Sequence, residues 1–173
     1  MNTLFELLKI IIPSLIVLAT ALVMIKTFLS REKEKEKNEI KTLNQKVILP
    51  LRLQAYERVC LFLERISPNV LLHRVNNSTY HAVELQRALL QDIRFEFEHN
   101  LSQQVYLSPE AWNLVSQAKE EITKIIILSA QGLNSNHSNM DLIKAITDRV
   151  IKMKEVPTLI ALNYIKKEVA EYF

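Results

Sequence analysis

Residues 23–40 read VMIKTFLSREKEKEKNEI, an apolar run that stops at a row of alternating charges. Upstream of the junction, Ile10 to Ile25 is free of charge (IIIPSLIVLATALVMI), interrupted only by Pro13, Ser14 and Thr20. A helix of that length rises about 24 Å, a little short of a hydrocarbon core about 30 Å thick. Leu7, Leu8, Thr27, Phe28 and Leu29 lengthen the run, and Lys9 and Lys26 can snorkel to headgroups. Pro13 falls in the first turn of the run, where its missing N–H costs least. The expectation is a transmembrane helix over residues 4–29. A cleaved signal peptide fits less well, because the positive charge follows the apolar run and no small-x-small site comes after it.

Downstream, charges alternate at period two, so Glu32 and Glu36 match in sign at i,i+4 while Glu32 and Lys35 are opposite at i,i+3. On a helix such terms are each a few tenths of a kcal/mol and partly cancel. Residues 30–47 therefore read as a solvated helical stalk. Ile40, Leu43 and Val47 follow a/d spacing, but Lys33 and Glu36 take the preceding a and d sites, too short a seam for a coiled coil.

The sign of the stalk says which way round it sits. Lys26, Arg31, Lys33, Lys35, Lys37, Lys41 and Lys46 face Glu32, Glu34, Glu36 and Glu39, seven cations against four acids. Before the apolar run the only cationic side chain is Lys9. Orientation follows the Lys/Arg bias of the flanks. The N-terminus is thus expected in the periplasm and the C-terminal side in the cytoplasm. The same cations form a collar for anionic membrane lipids.

The whole chain carries +3, with a pI near 8.9. Val47 to Phe173 holds fourteen Lys/Arg and fourteen Asp/Glu, so the excess sits in the stalk. A nucleic-acid binder shows its basic stripe on the folded domain; nucleic acid is not an expected partner. A single glycine in 173 residues also argues against sheet folds and phosphate-cradling loops.

Residues 48–173 are predicted to be a cytoplasmic bundle of about five helices, making the chain all-α. Pro50 opens the first, with Leu51, Ala55, Val59, Phe62 and Ile66 on one face, and Ser67-Pro68 ends it. From about Thr79, Ala82, Leu85, Leu89, Ile93, Phe97 and Leu101 recur at steps of three and four. Ser108-Pro109-Glu110 is an N-cap, a first-turn proline and a dipole-favouring acid, and that helix stops near Gly132. Ser138 to Asp141 resembles a capping box, and Pro157 starts the last helix.

Chemistry is sparse. In IRFEFEHNLSQQ, Glu96 and His99 form E-x-x-H, one copy of the motif that di-iron bundles place on each of two helices beside two further glutamates. His73, His81 and His137 follow Val70, Ser78 and Asn134 at the corresponding spacing, so no second copy exists. No cofactor and no metal is expected. The plainer reading is a polar cluster near a helix end, with Glu98, His99, Asn100, Gln103 and Gln104 as a candidate partner surface. Cys60 lies on an apolar helix face and reads as structural.

IIPSLIVLATALVMIKTFL, ILPLRLQAYERVCLFLERISPN and IRFEFEHNLSQQVYLSPEAWNLVSQAKEE together resemble a family of short single-pass inner-membrane proteins of Bacteroidetes-type bacteria. That family has no assigned activity, so the resemblance implies a bacterial inner membrane and supplies no catalytic residues. The expected function is a non-enzymatic, membrane-anchored adaptor or accessory subunit. It would present its bundle to another membrane or membrane-associated protein, or to a second copy. An enzyme or metal-binding bundle around Glu96, Glu98 and His99 is the alternative, and a ribosome or nucleic-acid contact the third.

Overall fold

The structure, a computed structural model, describes residues 2–171, with side chains described for 15–43 and 46–171. Helix is the only regular structure among the described residues. The chain divides into two compact units, Met1–Leu49 and Pro50–Phe173.

The first unit is one long helix, α1 (Asn2–Leu43), followed by a π turn at Asn44–Ile48. Its threonines do not interrupt it. The hydroxyls of Thr20, Thr27 and Thr42 donate to the carbonyls of Val17, Val23 and Asn38 at 2.8, 3.0 and 2.8 Å, satisfying themselves on the helix's own backbone. From Leu15 to Leu29 every large apolar side chain is at least 53% exposed. Among the described residues no helix is long and apolar enough to cross a membrane. Residues 4–14 of the expected span lie outside those whose side chains are described.

The second unit holds six α-helices rather than about five: α2 (Leu49–Arg65), α3 (Pro68–Val75), α4 (Ala82–Asn100), α5 (Pro109–Ser129), α6 (Asn139–Ile151) and α7 (Pro157–Ala170). The unforeseen one is α3. Ser67-Pro68 does end α2, but proline at the first helical position also starts a helix, as it does at Pro109 and Pro157.

The other boundaries follow local chemistry. Ser108 Oγ accepts from Ala111 N–H at 3.1 Å, and Ser138 and Asp141 cap each other reciprocally. α4 begins at Ala82 rather than Thr79, because Glu84 Oε2 accepts from His81 N–H at 2.9 Å and fixes the first turn there. Gly132, at φ +87°, supplies the left-handed residue that ends the α5 region.

Apart from α3, the helices of the second unit bury the faces their spacing announced. Ala55, Val59, Phe62 and Ile66 from α2 and its end meet Leu85, Leu89 and Ile93 from α4, Ile122 and Ile126 from α5, Leu142 and Ile146 from α6, and Ile165 from α7 in one core. Leu51 and Leu101 depart from expectation, at 45% and 43% exposed. Leu51 belongs to the first turn of α2, and α4 stops at Asn100 before a 3-10 turn (Leu101–Val105) that takes Leu101 off the buried face. The two polar loops ahead of α4 and α6 are tied together. Ala82 N–H donates to His137 O at 3.0 Å, and Asn139 Nδ2 donates to Asn76 Oδ1 at 2.9 Å and Asn77 O at 3.1 Å.

Candidate interaction surface

Glu96 and His99 share a cleft between α2 and α4, but the carboxylate is already engaged. Arg65 donates to Glu96 Oε1 from Nε at 2.7 Å and approaches from Nη2 at 2.6 Å, and Arg74 Nη1 lies 3.7 Å away. Arg74 also grips Asp92 with both terminal nitrogens, at 2.7 and 2.5 Å. That two-point pairing holds the Arg74 guanidinium more firmly protonated than usual. The cluster clamps α4 to the end of α2 and to α3. Because Glu96 is half-buried and doubly contacted by cations, its charge is spent on the fold.

His99 and Glu98 are exposed, whereas Asn100 is buried and its Nδ2 donates to Glu96 O at 2.8 Å, closing the last turn of α4. Gln103 is half-buried, with Nε2 donating to Ser102 Oγ at 3.2 Å, and Gln104 is exposed. The candidate surface is therefore divided: Asn100 serves the fold, while Glu98, His99 and Gln104 face outward. His73, His81 and His137 lie elsewhere, on α3, at the start of α4 and in the loop before α6. Among the described residues no three His, Cys, Asp or Glu side chains converge where they could hold a metal ion.

Cys60 is half-buried. Burial pushes its thiol above the ordinary range, Glu64 and Glu57 add to the effect, and Lys166 opposes it. A cysteine so placed stays protonated and makes a poor nucleophile. Trp112 stacks on Phe97, with ring centroids 5.6 Å apart, and Phe97 meets Phe62 at 5.8 Å. Lys119 Nζ stands 4.8 Å from the Phe97 centroid.

Sequence reasoning missed a second polar cluster, which joins α2, α5 and α7. Tyr56, 2% exposed, donates its hydroxyl to Glu168 Oε1 in a short hydrogen bond, and Ser108 Oγ donates to Glu168 Oε2 at 2.7 Å. Arg52 Nη2 lies 3.4 Å from the same Tyr56 hydroxyl, and its Nε donates to Tyr106 O at 3.2 Å. Only the Ser108 cap was visible in advance; a glutamate in the last turn of α7 gives no local sign of a partner so far back. The collar cations from Lys26 to Lys46 are all exposed on the first unit.

These features define an all-helical protein in which the described polar clusters hold helices together. Residues 2–172 match the Family of unknown function (DUF7935), and the chain belongs to that family. No curated protein and no solved structure matches it.

Proposed function

We propose that the protein is a single-pass bacterial inner-membrane adaptor or accessory subunit, N-terminus in the periplasm, that presents its helical bundle to a protein assembly on the cytoplasmic side. One observation carries the reading. The large apolar side chains from Leu15 to Leu29 stand exposed around α1, and a helix apolar on all sides is stable only inside a protein or a bilayer. The span it needs is residues 4–29, of which 15–29 supply only part. The collar from Lys26 to Lys46 supports the orientation by the seven-to-one cation count. The clamped state of Glu96, and the protonated, half-buried Cys60, support an interaction role over catalysis.

Two measurements on the full chain test this. Alkaline carbonate washing of membranes is expected to leave the protein in the pellet. A reporter active only in the periplasm, fused after Phe173, is expected to stay silent. Release into the wash would sink the anchor, and an active reporter would sink the orientation.

A further inference from the structure

α2 and α4 each turn a stripe of side chains outward at neighbouring places. On α2 it runs through Arg58, Leu61 and Arg65; on α4 it runs through Arg87, Arg94, Phe95 and Glu98. Phe95 is 70% exposed and Leu61 56%. Spacing accounts for the aromatic: in FEF, Phe97 takes the core face of α4, which leaves Phe95, two residues back and about 200° around the helix, on the solvent side.

Phe95 is shared by two open clefts. One, of about 480 Å³, is lined also by Arg58, Leu61, Arg65 and His99; the other, of about 540 Å³, also by Arg87, Leu90, Arg94 and Glu98. An exposed ring between two hollows is the relief that a helix ridge fits, with side chains three or four residues apart straddling the ring.

The charges around the ring are uneven in a way the composition of the unit does not require, since Val47 to Phe173 is neutral. Arg65 and Arg74 are consumed by Glu96 and Asp92. Among the described residues Arg58, Arg87 and Arg94 have no ion-pair partner, and Glu98 is the one unpaired acid lining either cleft. Arginine and aromatic side chains are also the types that dominate binding energy at protein interfaces.

We propose that this face of α2 and α4 is the bundle's docking surface and that its occupant is an acidic amphipathic helix of a partner protein. Phe95 seats among apolar side chains of that helix, and Arg58, Arg87 and Arg94 pair with carboxylates along its flanks. The proposal rests on the adaptor reading and names the partner chemistry that reading leaves open. Charge disfavours a two-fold-related second copy, in which three unpaired arginines would meet three others with only Glu98 to answer them. A lipid surface would cover the ring and leave both clefts empty.

The test uses full-length protein in its own membranes with a photo-crosslinking p-benzoylphenylalanine at position 95, and at Met140 (60% exposed, on α6) as control. The position-95 probe is expected to capture one protein, through a segment of net negative charge whose apolar residues recur at i, i+3 and i+4. A synthetic peptide of that segment is then expected to bind the detergent-solubilised full chain. That binding is expected to weaken about tenfold or more in the Arg58→Gln/Arg87→Gln/Arg94→Gln variant, and also in Phe95→Ser. Crosslinks to a second copy, to lipid or RNA, to a neutral or basic segment, or to nothing would each overturn the proposal. So would peptide binding indifferent to the arginines. Carbonate washing of the same membranes reads the anchor separately, so failure of the docking surface and failure of the adaptor reading are distinguishable.

Discussion

Thr158 is the second residue of α7, 3% exposed, and among the described residues its hydroxyl is the buried side-chain polar atom without a hydrogen-bond partner. An orphaned buried hydroxyl costs about 1–3 kcal/mol relative to a group of the same shape that needs no partner. Valine is that group. Thr158→Val is expected to stabilise the bundle by about 1 kcal/mol, seen as a rise of a few degrees in melting temperature; an unchanged or lowered value would mean that the hydroxyl is satisfied. Asp141 shows the opposite economy. Hydrogen bonds from Ser138 hold its carboxyl below the ordinary aspartate range. A depressed carboxylate stabilises the fold above the unfolded-state pKa, near 4, and that contribution is lost as pH falls through the lower folded-state value. The melting-temperature gap between the protein and Asp141→Asn is therefore expected to be present at neutral pH. It should close in more acid solution, and a gap unchanged at pH 2 would refute the assignment.

At the scale of whole elements, Ser108 and Ser138 look alike in sequence, and the structure separates them. Ser138 caps α6 and is answered only by its neighbour Asp141. Ser108 caps α5 and also donates to Glu168 on α7. Replacing a capping serine by alanine costs about 1 kcal/mol. Ser108→Ala should therefore cost more than Ser138→Ala, by roughly 1 kcal/mol, because the Glu168 oxygen it leaves short of a donor is half-buried, whereas Asp141, which loses its Ser138 donor in the same way, is exposed to water. A double-mutant cycle of Ser108→Ala with Glu168→Ala checks this, and additive losses would remove the coupling. The comparison also shows what was legible in the sequence. Caps at Ser108 and Ser138, the helix faces around Leu85 and Ile122, and the stop at Gly132 all depend on residues within a few positions of each other. α3 was not legible, because Ser-Pro both ends and begins helices. The Arg65–Glu96 clamp and the Tyr56–Glu168 bond were not either, since no spacing rule links residues 31 or 112 positions apart.

For the molecule as a whole, the core and caps lead to the expectation that the second unit folds by itself. Its buried apolar side chains lie between Ala55 and Ile165, and their half-buried and polar partners, such as Arg52, Glu168 and Val169, belong to the same unit. A fragment of residues 50–173 is expected to be soluble, strongly helical in the far ultraviolet and cooperative in unfolding. Aggregation on expression, or a gradual melt, would show that it leans on the first unit. The site was less readable than the fold. E-x-x-H drew attention to Glu96 and His99, yet a tertiary clamp claims Glu96, and the residues proposed to meet a partner, Phe95 and three arginines, belong to no motif.

The bond between Tyr56 and Glu168 also sets an order in time. Joining positions so distant carries a loop-closure cost that contacts within α4, or between α5 and α6, do not bear, so it is paid late in folding. Interactions absent from the transition state govern how fast a protein comes apart more than how fast it assembles. In the 50–173 fragment, Glu168→Ala is then expected to steepen loss of the native state, with an unfolding rate raised about fivefold or more and a folding rate nearly unchanged. Slowed folding in a denaturant-jump experiment would instead place the return of α7 inside the nucleus. On the expected ordering α7 is a latch, and how long the protein persists once folded is decided by the last helix to arrive.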